Sequence, residues 1–222
     1  MKRKDTGMST AIKNRTRDEI IAAFRESIRR KQEWQEHANE TIQRIRQDRL
    51  HLSIWQAMNA LDLNFVNRFA SYKVWTEDGR DYLIETNRGN IFVVGFMDDY
   101  SIWPTGAYQF TINNQSNLPS PNDYKLRGTI LLLIEAFFVA NPDILLYICE
   151  TGDGKQAFRS RLFIRWFNTY TRRDDYVMQI AEVEAEDTKN FATLIVQKSN
   201  PRLQEIITEF NETISILTNK PE

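Results

Sequence analysis

The chain has 222 residues, of which 41% are apolar and 27% charged, with a formal net charge of −1. That composition excludes a disordered or collagen-like chain, and the near-neutral balance argues against a polyanion binder taken as a whole. One cysteine, Cys149, and two histidines, His37 and His51, exclude an internal disulfide framework, a cysteine-rich zinc module and most histidine-built metal sites.

The charge is unevenly placed. Residues 1–50 hold 13 Lys/Arg against 8 Asp/Glu, and residues 51–222 hold 16 against 22, so a basic segment precedes an acidic body. Residues 1–15 are polar, basic and without periodicity, the pattern of a disordered tail. Lys2, Arg3 and Lys4 are followed by no apolar core of a secretory signal, and no apolar run approaches the ~18–20 residues of a membrane span, so the expected compartment is the cytoplasm. Met8 offers an alternative start to Met1.

A helical arm is expected over 16–64. Thr16 and Glu19 have the capping-box spacing, a hydroxyl with a carboxylate three residues on. Ile20, Ile21, Phe24 and Ile28 then form an apolar stripe that thins to Trp34, Ala38, Ile42 and Ile45. Lys31, Gln35 and Arg49 fall on the heptad seam and break a coiled coil, which leaves a charged helix that packs on the body or on a second copy. Leu50 to Leu63 reads as a shorter bridging helix.

The body, 65–222, opens with a β-meander. Phe69 to Thr76 and Tyr82 to Thr86 are strands around the turn Glu77-Asp78-Gly79-Arg80. After the turn Asn87-Arg88-Gly89-Asn90, Ile91 to Met97 reads as a strand buried on both faces, and Ala107 to Asn113 as the fourth strand. Ser120 and Pro121 open a core helix that Asn141-Pro142 stops. Ile144 to Cys149 is a central strand, Lys155 to about Thr171 a helix, Tyr176 to Glu182 and Phe191 to Gln197 strands, and Pro201 to Leu217 the terminal helix. The class is α+β with a mostly antiparallel sheet, in the order ββββ-α-β-α-ββ-α behind the arm.

The body holds no histidine, so Ser-His and Cys-His nucleophile pairs cannot form within it. Gly152-Asp153-Gly154-Lys155-Gln156 resembles the end of a P-loop, but Cys149 and Gln156 stand where a glycine and a Ser/Thr are required. Asp143 and Asp153 mimic a metal-nuclease pair, yet they flank one strand and sit roughly 20 Å apart. Asp98-Asp99 and Asp174-Asp175 read as solvated loop pairs. Cys149, in a buried strand, is not a reactive thiol.

One cation stands out. On a helical wheel Phe158, Leu162, Trp166, Tyr170, Phe163 and Phe167 span a broad apolar face, with Arg159 inside that arc and Arg161 and Arg165 outside it. A guanidinium facing a core is either paired or set to receive an anion. Glu150 and Asp153 are its expected partners, and Gly154 and Lys155 belong to the same strand-to-helix turn. Both readings, a structural ion pair and an anion site, stay open.

The run from Tyr147 through Glu150-Thr151-Gly152-Asp153-Gly154-Lys155 to Phe163, with Trp166-Phe167, resembles a family of uncharacterised bacterial proteins, mainly of Bacteroidota, across about residues 68–198. The resemblance implies a bacterial cytoplasmic protein and carries no activity with it. The element order over 81–198 is also similar to that of Gcn5-related N-acetyltransferases. In that family a Gln/Arg-x-x-Gly-x-Gly/Ala turn holds coenzyme A phosphates, and the matching stretch here is Lys125-Leu126-Arg127-Gly128-Thr129-Ile130. Lysine and isoleucine depart from the motif at its ends. The resemblance implies coenzyme A as ligand, Arg127 and Gly128 as phosphate contacts, and Tyr170 as proton donor.

Two readings follow. The first is a protein-interaction or self-association module, acting through the arm, with no catalysis or cofactor of its own. The alternative is an acetyltransferase-like domain that binds coenzyme A or another phosphorylated ligand, so whether the chain is an enzyme stays open. Nucleic-acid binding by Lys2, Arg3, Lys4, Lys13, Arg15, Arg17 and Arg29-Arg30-Lys31 is disfavoured by interspersed glutamates and the acidic body.

Overall fold

The computed structural model describes residues 16–45, 58–99, 103, 106–116, 122–149, 154–185 and 188–218; for 33–45, 184–185 and 188 it describes the backbone alone. The expected tail over 1–15 and most of the expected helix over 50–63 lie outside the described residues. The elements are α1 (Arg17–Ile45), α2 (Leu63–Phe69), β1 (Val74–Thr76), β2 (Asp81–Glu85), β3 (Ile91–Asp99), β4 (Ala107–Asn114), α3 (Tyr124–Ala140), β5 (Leu145–Ile148), α4 (Gln156–Asn168), a 3-10 turn (Arg173–Asp175), β6 (Tyr176–Ala185), β7 (Thr188–Gln197) and α5 (Leu203–Thr218). The seven strands run in the order β1-β2-β3-β4-β5-β7-β6. The pairs β1–β2, β2–β3, β5–β7 and β6–β7 are antiparallel, and β4–β5 is parallel. The class is α+β with a mostly antiparallel sheet. No helix among the described residues is long and apolar enough to cross a membrane.

The chain forms two compact units. The first comprises Met1–Arg30, Asp98–Gln109 and Asp143–Glu222, and the second Lys31–Met97 and Phe110–Pro142.

In the first unit α1 opens on the capping box its sequence predicts. The Glu19 amide donates to Thr16 Oγ1 at 3.2 Å, and the Thr16 amide donates to Glu19 Oε2 at 2.7 Å. Ile20 and Phe24 enter a core built with Trp103, Ile144, Leu146, Ile148, Leu194, Val196, Ile206 and Phe210. Trp103 stacks on Phe210 of α5, with ring centroids 6.1 Å apart. Ile144 to Cys149 are all buried, and β5 pairs with β7 over Leu145–Ile148, so the apolar run is a central strand as its composition requires.

Buried polar groups also lie in this unit, and one cluster of them meets α1. The Asp99 carboxylate at the end of β3 is 4% exposed, and the fully buried Ser27 hydroxyl of α1 donates to it. Gln109 Nε2 of β4 donates to Ser27 Oγ at 2.8 Å, and Arg30 donates to the Asp98 carbonyl at 3.1 Å. The expected solvated pair at Asp98-Asp99 is therefore corrected: β3 extends two residues past Met97 and its last carboxylate is buried beneath α1.

In the second unit the meander β1–β3 packs under α3. Phe96 stacks on Phe137 at 4.7 Å, and Phe110 lies 5.6 Å from Phe96. Gly79 and Gly89 take φ of 78° and 75°, the left-handed geometry that both predicted turns demand. The expected strand from Phe69 is shortened to Val74–Thr76, because Asp62 accepts the amides of Asn64 and Phe65 and starts a helix there. Asn67 of that helix then serves Val74 like a neighbouring strand, accepting from its amide at 2.7 Å and donating to its carbonyl at 2.8 Å.

Replacing Asp99 with alanine leaves buried donors of Ser27 and Gln109 without this acceptor. The expected loss is about 1–3 kcal/mol in urea denaturation, against about 1 kcal/mol for Ser27→Ala, which removes one hydroxyl. An unchanged midpoint for Asp99→Ala shows that the network does not hold α1.

Candidate functional site

The expected anion site lies at the start of α4, in the first unit. Gly154 has φ 68°, and Lys155 is the N-cap with no side-chain hydrogen bond to the helix amides. The Arg159 amide donates to the Lys155 carbonyl at 3.0 Å, the first ordinary helical bond. Gly154, Lys155 and Arg159 are thus brought onto one helix start. Their expected partners Glu150 and Asp153 lie outside the described residues.

The helix is turned differently from the wheel's expectation. Ser160 and Phe163 are its buried residues, and Phe158, expected on the core face, is 60% exposed. The cause is non-local. Phe163 packs on Tyr147 of β5 at 4.5 Å, and Phe167 and Tyr170 sit 6.5 Å and 6.3 Å from Tyr176 of β6. These rings select one side of a broad apolar arc, and Arg159 sits at that side's margin, half-buried.

The stretch matched to a phosphate cradle, 125–130, lies in the second unit and is the opening of α3. Asp123, not Ser120, is the N-cap, and Ser120 and Pro121 lie outside the described residues. Asp123 Oδ1 accepts the Lys125 and Leu126 amides at 2.9 Å and 3.1 Å, and the Arg127 amide donates to the Asp123 carbonyl at 3.0 Å. The Tyr72 hydroxyl donates to Asp123 Oδ2 at 2.8 Å. Burial opposes ionisation of this carboxyl, but the Leu126 amide, Tyr72 hydroxyl and Lys125 amide outweigh it and hold its pKa below the ordinary 3.8. The helix start is therefore occupied by the chain's own carboxylate. Gly128 sits within α3, and a Cβ there would meet nothing within 4 Å. Arg127 and Gly128 are thus in one unit, and Gly154, Lys155 and Arg159 in the other.

Among the described residues no group of three or more His, Cys, Asp or Glu is placed to hold a metal ion. Carboxylates do gather around Arg202, at the head of α5. Arg202 Nε donates to Glu205 at 3.1 Å and its guanidinium lies 3.9 Å from Glu209. Glu209 is 5% exposed and its Oε2 has no hydrogen-bond partner. Burial, reinforced by Glu205 and Glu212 and opposed by Arg202, raises its pKa above 4.5.

The feature missed at the sequence level is a cationic face. Residues 154–173 hold six Lys/Arg and no Asp/Glu, and α4 exposes Phe158, Arg161 and Arg165 at successive turns. The signal lies in that charge run, whereas Arg159, inside the apolar arc of the wheel, marks the opposite side of the helix.

The fold defines an α+β protein with a mostly antiparallel sheet, in which Asp123 caps the start of α3 and no side chain caps the start of α4. Residues 122–212, which include α3, β5, α4, β6, β7 and most of α5, match the model of a protein family described as a family of unknown function (DUF6169). The match begins later than the expected residue 68 and ends beyond 198, inside the terminal helix. Comparison with curated proteins and with solved structures finds no match for the chain.

Two outcomes follow. Asp123→Ala removes the α3 cap and is expected to cost about 1 kcal/mol in urea denaturation at pH 7, whereas Asp123→Ser retains most of it. Since the folded pKa of Asp123 is depressed, its contribution is present above the ordinary 3.8 and lost as pH falls below it, so the alanine variant's deficit shrinks in acid. Glu209 runs the opposite way: its stabilising protonated form is retained below 4.5 and lost as pH rises through its raised folded value. Glu209→Gln is expected to raise the urea midpoint at pH 7 and to leave it unchanged near pH 4.

Proposed function

We propose that this chain is a protein-interaction module without catalysis of its own, and that α1 is the element through which it pairs with a second copy. The observation that carries this reading is how α1 is rooted. Its first turns are fixed in the first unit by the capping box, by Ile20 and Phe24, and by the Ser27–Asp99–Gln109 network. The same helix continues to Ile45, 15 residues past Arg30, where that unit's share of it ends. A helix of 29 residues is about 44 Å long, more than a small core needs to cover itself. In sequence, Trp34, Ala38, Ile42 and Ile45 recur at the spacing of one helix face, the pattern by which helices pair.

The acetyltransferase-like alternative is supported by element order: four strands, a helix, a central strand parallel to the fourth, a helix, then two strands. Element order is analogy and does not carry an activity. The Asp123 carboxylate placed on the amides of α3 speaks against phosphate at that position, since a second anion would meet like charge where the motif requires open amides.

Size-exclusion chromatography with light scattering tests the reading. The full chain is expected to elute as a dimer at micromolar concentration, and Trp34→Glu with Ile42→Glu to elute as a folded monomer of unchanged far-ultraviolet circular dichroism. A full chain that is monomeric throughout, or a double variant that remains dimeric, overturns it. A thermal shift with acetyl-coenzyme A that Arg127→Ala abolishes favours the alternative.

A further inference from the structure

We propose that the solvent face of α4 is a docking surface for an acidic protein segment that carries an apolar side chain among its carboxylates. This surface is separate from α1 and does not rest on the self-association reading.

The charge distribution is the first observation. Residues 154–173 have a net charge of +6 with no acidic residue, while the remainder of 51–222 has a net charge of −12. Four of the six cations, Lys155, Arg159, Arg161 and Arg165, belong to α4 and its N-cap, and Arg172 and Arg173 pair with Asp175 and Asp174 in the turn that follows. The second observation is where the side chains lie. The exposed residues of α4 are Phe158, Arg161, Arg165 and Asn168, followed by Thr169 at the C-cap, and their spacing of three and four residues puts them on one stripe. The opposite side is fixed by Phe163 on Tyr147 and Phe167 on Tyr176, so the stripe is held outward.

Within the stripe, neither the Arg161 nor the Arg165 guanidinium makes a hydrogen bond or ion pair among the described residues. They lie one turn apart, and a like-charge pair at that spacing weakens a helix rather than supporting it. Lys155 and Arg159 place further positive charge at the helix N-terminus, where the macrodipole is already positive and no acid occupies the first turn. The Arg161–Arg165 pair is therefore carried at some cost to the helix. Phe158, 60% exposed, adds an apolar anchor beside it. An aromatic side chain flanked by unpaired arginines is the composition of an interface centre, and guanidiniums grip carboxylates by paired hydrogen bonds.

The dimensions favour a peptide segment over nucleic acid. The 13 residues of α4 are about 20 Å long. A segment with two or three carboxylates ends where the cationic face ends. A nucleic acid carries charge at about every 1.7 Å of duplex and runs on past it toward a strongly acidic body.

The experiment is fluorescence anisotropy on the full chain. The probes are a labelled peptide of Glu and Asp around a central Leu-Trp pair, the same peptide with Gln and Asn in place of the acids, and a labelled single-stranded oligonucleotide. The acidic peptide is expected to bind saturably and more weakly as salt rises. Arg161→Glu with Arg165→Glu is expected to weaken it at least tenfold, and Phe158→Ala several-fold. Lys198→Glu, an exposed charge change in the turn after β7, leaves it unchanged. The amide peptide does not bind. Absence of saturable binding by the acidic peptide overturns the proposal, as does binding indifferent to the double charge reversal. Tighter binding of the oligonucleotide, lost in the same double variant, overturns it in favour of nucleic acid. Light scattering on the double variant separates this surface from α1: the oligomeric state of the unsubstituted chain, whichever it is, is expected to be retained, and a dimer that dissociates makes α4 a contact between copies and overturns the acidic-segment assignment.

Discussion

A carboxylate that is 4% exposed must be met by donors, and the donors at Asp99 set how α1 lies against the first unit. Ser27 is on α1 and Gln109 on β4, so one acid at the end of β3 registers a helix to a strand. Moving α1 by a single residue would turn Ser27 by about 100° and take its hydroxyl away from the acid. Ile20 and Phe24 would leave the core by the same rotation. Apolar contacts alone tolerate small slips; a buried hydrogen-bonded acid does not. The placement of the first turns of α1 within the first unit is therefore determined at this acid.

The same distinction between local and non-local causes separates what the sequence discloses from what it conceals. Thr16 and Glu19 announce the start of α1, and Gly79 and Gly89 announce two turns, because each signal acts within four residues. The apolar run Ile144 to Cys149 announces a central strand because no other element can bury every position. The start of α3 differs from the expected one because Ser120 and Asp123 both have capping chemistry, and Tyr72, 51 residues away, steadies Asp123 with its hydroxyl. The strand expected from Phe69 gave way to α2 for a local reason that was available, the cap at Asp62.

The candidate site was the least legible part. An amphipathic arc as wide as that of α4 does not disclose which half faces inward. Tyr147 and Tyr176 decide it, from strands on either side of α4 in the chain, and they leave Phe158 in solvent and Arg159 at the margin. The residues that emerge as most available, Arg161 and Arg165, are those that the wheel placed outside the arc. The stretch 125–130 shows the converse: a short motif match whose first two amides, those of Lys125 and Leu126, already donate to the chain's own Asp123.

Native mass spectrometry of freshly purified protein tests the central claim, that the chain works by pairing rather than by holding a small phosphorylated ligand. A dimer, with no mass beyond that of two chains, is the predicted result. A monomer carrying the additional mass of coenzyme A or a nucleotide would contradict it and return the function to a ligand site.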